Sequence, residues 1–222
     1  MTPKPYKTLM TRGAKEFIIN KSRFIGYGAP CETEEQALAF LAEIRQKHKD
    51  ASHNCYAYII GTNMGIMRYS DDGEPSGTAG MPIIEVMKAR QVTNCAVVVT
   101  RYFGGVLLGA GGLVRAYSQG SASALDASGV GVMHPTKRIM AGVDYGMLGV
   151  IEHFLKSECV VVEEKEFTVS VTLTMRIKSC DYEGFCERLL SVSEGQCEPI
   201  EIDEIFMPWA EENACNIPNN DV

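Results

Sequence analysis

Apolar and polar positions alternate along the first half of the chain in patterns that predict short strands separated by helices. The segment from 95 to 103, CAVVVTRYF, is a nearly continuous apolar run, which is typical of a strand covered on both faces. Thr33, followed three residues later by Gln36, has the spacing of a capping box and predicts where the first helix begins. The predicted strands cover 15–30 (one bent strand, or two joined at NKS), 54–61, 66–70 and 95–103, and the predicted helices cover 33–49, 78–92 and 113–127.

The second half of the chain has a different order of elements. After His134 and Pro135 the pattern predicts a strand, a helix, two strands, a helix and a last strand, the β-α-β-β-α-β order of ferredoxin-like domains. These elements are predicted at 137–145, 147–158, 159–164, 166–178, 181–193 and 198–206. The sequence therefore predicts an α+β protein with domains at 1–130 and 136–207, a linker at 129–136 and a flexible tail at 208–222.

Composition is that of a globular protein, with 45% hydrophobic and 22% charged residues. No apolar stretch approaches the roughly 20 residues that cross a bilayer, and the N-terminus lacks the apolar run of a signal peptide. We therefore expect no membrane association and a cytoplasmic location. The eight cysteines include no close C-x-x-C pair, so buried thiols are favoured over disulfides or a zinc site.

Charge divides the chain unevenly. Residues 1–130 contain 14 Lys and Arg against 11 Asp and Glu, a net charge of +3, whereas residues 131–222 contain 7 against 17, a net charge of −10. Any polyanion is therefore expected to meet the first half.

The stretch from 100 to 117, TRYFGGVLLGAGGLVRAY, joins the buried strand to the long helix and carries candidate anion-binding chemistry. Glycine lets backbone amides turn outward, and a helix N-terminus carries partial positive charge. Arg101 and Arg115 would add charge-assisted hydrogen bonds to a phosphate. The motif matches neither a Walker A loop nor the dinucleotide fingerprint, and tight turns would also explain its glycines. The candidate anion-binding or nucleic-acid-binding residues are Arg101, Gly104, Gly105, Gly109, Gly111, Gly112 and Arg115.

A second polar stretch, SDDGEPSGTAGMPI at 70–83, follows another predicted strand. Its carboxylates would suit acid–base chemistry or Mg²⁺, but Ser76 lacks the G-x-S-x-G context of an activated nucleophile. The turn residues, with Ser76 or Thr78 capping the next helix, explain part of the motif without any function. His53 is the histidine nearest to these motifs in the predicted fold. The candidate polar rim is His53, Asp71, Asp72, Glu74, Ser76 and Thr78; the sequence assigns no catalytic residue, metal or cofactor.

The blocks DDGEPSGTAGMPI (71–83), VVVTRYFGGVLLGAGGLVRAY (97–117) and, more weakly, ASHNCYAYIIG (51–61) closely resemble the signature blocks of the IMPACT family. The resemblance covers roughly 15–128, and the second half is similar to the extra C-terminal domain of bacterial members, itself similar to the last, ferredoxin-like domain of elongation factor G. It implies an N-terminal α/β domain of the ribosomal-protein and small-molecule-kinase type. Eukaryotic relatives regulate translation under amino-acid stress, and nucleic-acid or ribosome binding has been suggested for bacterial members.

Two functional hypotheses follow, with a third from the family. The first is a non-enzymatic binding protein linked to translation or its regulation, whose first domain meets RNA or the ribosome. The second is an enzyme on a small phosphorylated substrate, because both polar motifs follow predicted strands, where α/β sheets commonly bind ligands. The third is a module that recognises a translation-associated protein, as the eukaryotic relatives suggest.

Overall fold

The structure is a computed structural model that describes residues 4–209, and its described residues form two compact units. The N-terminal unit comprises residues 6–132, and the C-terminal unit comprises residues 133–209 with residues 4 and 5. Both mix helices with antiparallel strands, so the α+β class is confirmed. The predicted tail falls largely on residues 210–222, which lie outside the described part of the chain. Across residues 4–209, no helix combines the length and apolar character needed to cross a membrane.

The N-terminal unit is built on a five-stranded sheet with the order β2-β3-β6-β4-β5. Every strand pairing in this sheet is antiparallel. The enzyme hypothesis placed the polar motifs at the ligand-binding crevice of an α/β sheet, but such a crevice belongs to parallel sheets. The strands of this sheet are β2 (Gly13–Ile19), β3 (Ser22–Pro30), β4 (His53–Ile60), β5 (Ile66–Ser70) and β6 (Cys95–Tyr102). A short strand that is not part of this sheet, β1 (Tyr6–Leu9), precedes them, and the helices are α1 (Glu34–Lys47), α2 (Gly80–Ala89) and α3 (Gly109–Ser128).

The central strand β6 is buried along almost its whole length because helices cover both faces of the sheet, as its apolar run predicts. Helices α2 and α3 pack on one face and α1 packs on the other. Helix α3 approaches the sheet closely at Gly120, where an added Cβ would lie 2.8 Å from the Cγ1 atom of Val99. Half of the predicted capping box is present. The hydroxyl of the N-cap residue Thr33 accepts from the Gln36 amide, whereas the Gln36 side chain accepts from the amide of Glu32, one residue before the N-cap.

The C-terminal unit has the predicted β-α-β-β-α-β element order and a sheet with the strand order β8-β9-β7-β10. Its elements are β7 (Val130–Val143), α4 (Leu148–Leu155), β8 (Val160–Phe167), β9 (Val171–Lys178), α5 (Tyr182–Val192) and β10 (Ile200–Pro208). The boundary between the two units lies within the predicted linker at 129–136, but this segment is part of a strand, because β7 already begins at Val130. Pro135 lies beyond the ladder with β9, which ends at the pair Thr136 and Lys178, but within the ladder with β10, where it lies opposite Phe206. Its carbonyl still accepts from the Ser179 amide at 2.9 Å.

Candidate functional site

Three strand ends bring the sequence motifs together at one edge of the N-terminal sheet. Arg101, near the end of β6, lies opposite Phe24 of β3 on one side and opposite His53 of β4 on the other. The chain after β5 returns to the same edge, since the carbonyl of Asp72 lies 2.8 Å from the Nδ1 atom of His53. The two polar motifs, far apart in sequence, therefore meet in one place.

Arg101 is buried inside this edge and does not project toward solvent. Its Nη1 atom donates to Oε1 of Glu74 at 2.7 Å, and the two side chains are only 6% and 3% exposed. The guanidinium lies between the rings of Phe24 and Phe103, at 5.5 and 5.4 Å from their centroids, and Nη2 reaches the Ser22 hydroxyl at 3.4 Å. Its Nε is buried and has no hydrogen-bond partner among the described residues. The positive charge that the sequence assigned to an incoming anion is thus neutralised by an internal carboxylate.

The Glu74 carboxylate is the shared partner of several polar side chains at this edge. Its Oε1 atom also accepts from the Tyr117 hydroxyl at 2.7 Å and lies 3.9 Å from Nε2 of His53. Burial is the main cause that raises the pKa of the Tyr117 phenol, and burial likewise raises the pKa of the Cys55 thiol. Both groups are therefore neutral at physiological pH, and neither is an activated nucleophile.

Asp71 serves the backbone of its own loop and of α2. Its Oδ1 atom accepts from the amides of Ala79 and Gly80 at 3.0 and 2.8 Å, and its Oδ2 accepts from the amide of Gly77 at 2.8 Å. The sequence expected Ser76 or Thr78 to cap this helix. That expectation is wrong, because the Thr78 hydroxyl donates to the Pro75 carbonyl, and it is Asp71 that accepts from the amides of Ala79 and Gly80 at the start of the helix.

Asp72 and His53 fasten the loop to the strand edge. The Asp72 carboxylate accepts from the Asn54 amide at 2.6 Å and pairs weakly with Arg45 at 3.4 Å. Because a carbonyl only accepts, Nδ1 of His53 carries a proton that it donates to Asp72, which leaves Nε2 toward Glu74. Ser76, by contrast, is exposed at the tip of the loop. The dense charge at 71–74 therefore holds the loop in place.

The beginning of the glycine-rich stretch is also held internally. The Phe103 amide donates to the Ser52 hydroxyl at 3.0 Å, and the Gly104 amide donates to the Ser22 hydroxyl at 3.2 Å. An added Cβ at Gly104 would lie 2.1 Å from the backbone of Lys21, so only glycine fits there. Gly105 and Gly109 have φ values of 81° and 66°, which an L side chain rarely adopts.

The N-terminus of α3 is open. The helix has no side-chain cap and no acidic residue in its first turn, and within residues 4–209 the amides of Gly109, Ala110 and Gly111 have no hydrogen-bond acceptor. An added Cβ at Gly111 would meet no atom of the described residues within 4 Å. Arg115 is exposed about one turn further on, with no ion pair to any described residue. Of the predicted anion-binding residues, these glycines and Arg115 face solvent, whereas Arg101 and the Gly104 amide are internally engaged.

The loop before α3 exposes large apolar side chains beside these amides. Phe103 is 48% exposed, Val106 is 40% exposed and Leu107 is 85% exposed. A shallow apolar groove of about 420 Å³ between α2 and α3 includes Met81 and Val114 in its lining but none of the buried polar cluster. Across the described chain, no group of three or more His, Cys, Asp or Glu residues is placed to hold a metal ion.

Tyr117 and Ser22 are among the residues of this edge to which the sequence interpretation gave no role. Tyr117 had a usable signal, since it shares the buried face of α3 with Leu113 and Gly120, and a buried tyrosine hydroxyl needs a partner. Ser22 had no such signal because its role depends on which strands become neighbours.

Comparisons with known proteins cover both units. The profile described as the Impact N-terminal domain matches residues 20–125, and a domain of unknown function, DUF1949, matches residues 142–196. IMPACT family member YvyE of Bacillus subtilis is 40% identical over 87% of this chain and 89% of its own length. IMPACT family member YigZ of Escherichia coli is 34% identical over 84% of this chain and 92% of its own.

More distant comparisons differ in extent. Protein IMPACT of Homo sapiens is 35% identical over 40% of this chain and 29% of its own length. A solved structure described as a hypothetical protein matches with a TM-score of 0.59 and 30% identity, covering 90% of this chain and 98% of that one.

Proposed function

The chain belongs to the IMPACT family, and from that premise we propose that it is a non-enzymatic binding protein linked to translation or its regulation, whose N-terminal unit binds RNA or a ribosomal component. We further propose that its two units are the ribosomal-protein and small-molecule-kinase type domain and the ferredoxin-like domain that this membership implies.

One contrast supports this proposal above all others. Two helices of the N-terminal unit, α2 and α3, begin at glycines, and they differ in whether their first backbone amides have hydrogen-bond acceptors. Asp71 occupies the amides at the start of α2, whereas the amides of Gly109, Ala110 and Gly111 at the start of α3 are free and exposed. Free amides at a helix N-terminus favour an anion such as a phosphate group, and Arg115 adds an exposed cation nearby.

The exposed loop adds a second kind of contact. RNA-binding proteins combine phosphate contacts with aromatic rings on which unpaired bases stack. Phe103 offers such a ring, half exposed and backed by the buried guanidinium of Arg101. We propose that phosphate binds at the α3 N-terminus while a base stacks on Phe103. Arg101 then contributes by supporting the ring, without contacting RNA.

The enzyme hypothesis has less support. A phosphorylated substrate would need the charge of Arg101, which pairs with Glu74 at 2.7 Å, and Asp71 and Asp72 are occupied by backbone amides. Among the described polar residues of this edge, His53 combines a partly exposed side chain with a fixed tautomer. A general base such as His53 acts only when a substrate is bound within hydrogen-bond reach of it, so His53 by itself does not support an enzyme.

Gly111 provides a sharp test. Gly111→Asp places a carboxylate among the free amides, where space is open and where an acid favours the helix, so folding is preserved. We expect the affinity for a fluorescent RNA oligonucleotide, measured by anisotropy, to fall by about tenfold or more, a change of about 1.4 kcal/mol. Gly111→Ala is the matched control and should change affinity less than about twofold, because it adds bulk without charge. Equal RNA affinities for the two variants would refute the proposal.

A protein partner is the competing outcome. Capture of partners from lysate with and without nuclease separates the two, since an RNA-dependent association is lost after nuclease treatment. Retention of a translation-associated protein after complete RNA removal, together with no RNA binding by the purified chain, would replace RNA with protein as the ligand.

A further inference from the structure

A band of cations and tyrosines runs from the glycine-rich loop across the α1 side of the sheet, and the function proposed above does not use it. We call it the basic–tyrosine strip and define it by Lys21, Arg23, Tyr102, Tyr27 and Lys47. The Arg23 guanidinium lies 5.3 Å from the centroid of the Tyr102 ring, and Nζ of Lys47 lies 5.1 Å from that of Tyr27. Each tyrosine therefore carries a cation on its face.

His48 makes the strip continuous. Its Nε2 atom lies 2.7 Å from the Tyr27 hydroxyl and its Nδ1 lies 2.8 Å from the Tyr102 hydroxyl. Tyr102 in turn donates to a carboxylate oxygen of Asp50 at 3.2 Å. Since the Tyr102 hydroxyl uses its proton there, it accepts from Nδ1–H of His48, and Nε2 accepts from Tyr27. A neutral histidine thus links two ring-bearing sites at fixed positions.

The strip also reaches the proposed RNA surface directly. Tyr102 is followed in the chain by Phe103, and the Gly104 amide donates to the hydroxyl of Ser22, which lies between Lys21 and Arg23. The backbone of Lys21 is so close to Gly104 that an added Cβ would overlap it at 2.1 Å. The strip and the loop before α3 are therefore one surface.

The cations of the strip are available to a ligand. Within the described residues Lys21 and Lys47 have no ion-pair partner. Arg23 pairs with Glu16, but the two side chains are 47% and 45% exposed, and such surface pairs contribute at most about 1 kcal/mol. An incoming phosphate can replace that partner at small cost.

We propose that the ligand is single-stranded RNA, whose backbone follows the basic–tyrosine strip while an unpaired base stacks on Phe103. This inference rests on the proposed function and specifies its ligand class. Cations spaced along a band can contact successive phosphates of one strand, and an exposed aromatic ring can stack against a base that is unpaired. A duplex keeps its bases paired and cannot offer one to Phe103.

The test uses the full-length protein and a fluorescent oligouridylate, titrated by anisotropy over a range of KCl concentrations. The strip variant carries Lys21→Ala, Arg23→Ala and Lys47→Ala. For single strands each phosphate neutralised contributes about 0.7 to the slope of log affinity against log salt. We therefore expect the strip variant to lose about 2 from that slope and to bind at least about tenfold more weakly at low salt.

A control variant carries Lys7→Ala, Lys15→Ala and Lys88→Ala, which remove the same net charge from exposed positions outside the strip. We expect it to keep the parent slope, and a duplex of the same length to compete poorly with the oligouridylate. The inference is overturned if the strip and control variants behave alike, or if duplex RNA or a poly-glutamate of matched charge competes equally well.

Failure of the strip is distinguishable from failure of the proposed function. If the parent binds RNA and Gly111→Asp weakens binding while the strip variant keeps the parent slope, the strip alone is refuted. If the parent binds no RNA at the lowest salt, both proposals are refuted.

Discussion

Replacing Arg101 by Met would leave the Glu74 carboxylate buried without its cation, and we expect the free energy of unfolding of the N-terminal unit to fall by about 3–5 kcal/mol. The structure sets this magnitude. The pair is closed at 2.7 Å between side chains that are 6% and 3% exposed, so water does not screen it. Glu74 keeps its hydrogen bond from Tyr117, which places the expected loss near the lower end, about 3 kcal/mol.

A double-mutant cycle identifies the cause. Glu74→Gln removes the charge but keeps an oxygen that can accept from Tyr117, so the double variant Arg101→Met/Glu74→Gln should lose less than the sum of the single losses, by about 0.5–3 kcal/mol. Urea denaturation measures the total loss, and hydrogen exchange of β6 amides assigns it to the N-terminal unit. A loss below about 1 kcal/mol for Arg101→Met, within the range of an exposed pair, would refute the buried-pair reasoning.

Three further outcomes follow from the same edge and its surroundings. Asp71→Ala should lower stability by about 1–2 kcal/mol in urea denaturation because it uncaps α2, and unchanged stability would contradict the capping role. Gly104→Ala should lower the yield of folded protein and the urea midpoint far more than Gly111→Ala, since the added Cβ overlaps backbone at the first position and open space at the second. Burial, reinforced by nearby cations, lowers the pKa of His48 below its ordinary 6.5. Because the histidine of the unfolded chain then takes up a proton at a higher pH than that of the folded chain, the free energy of unfolding should fall as the pH decreases below about 6.5. His134 shares that direction, so the difference in urea midpoint between the parent and His48→Gln isolates His48, and parallel pH profiles would contradict it.

Sequence patterns predicted most elements because hydrophobic periodicity is local. The run from 95 to 103 identified the covered strand β6, and the Thr33 and Gln36 spacing identified the start of α1. The predicted start of α3 at 113 was late by one turn, since Gly109 turns the chain into the helix with a φ of 66°. The pattern at 129–136 located the boundary between the units but not its conformation, because pairing with β10 keeps Pro135 within strand β7.

The order of residues alone shows that charge and glycine are concentrated at 71–83 and 100–117. Which of those charges remain available to a ligand depends on how the strands and helices pack. Arg101 is 27 residues from Glu74, and Tyr117 is 43 residues from the same carboxylate, so their meeting depends on strand register and helix packing. Because an unpaired charge in that interior would be destabilising, burial favours the pairing of Arg101 with Glu74. The first amides of α3 are exposed to water and remain free to bind a ligand.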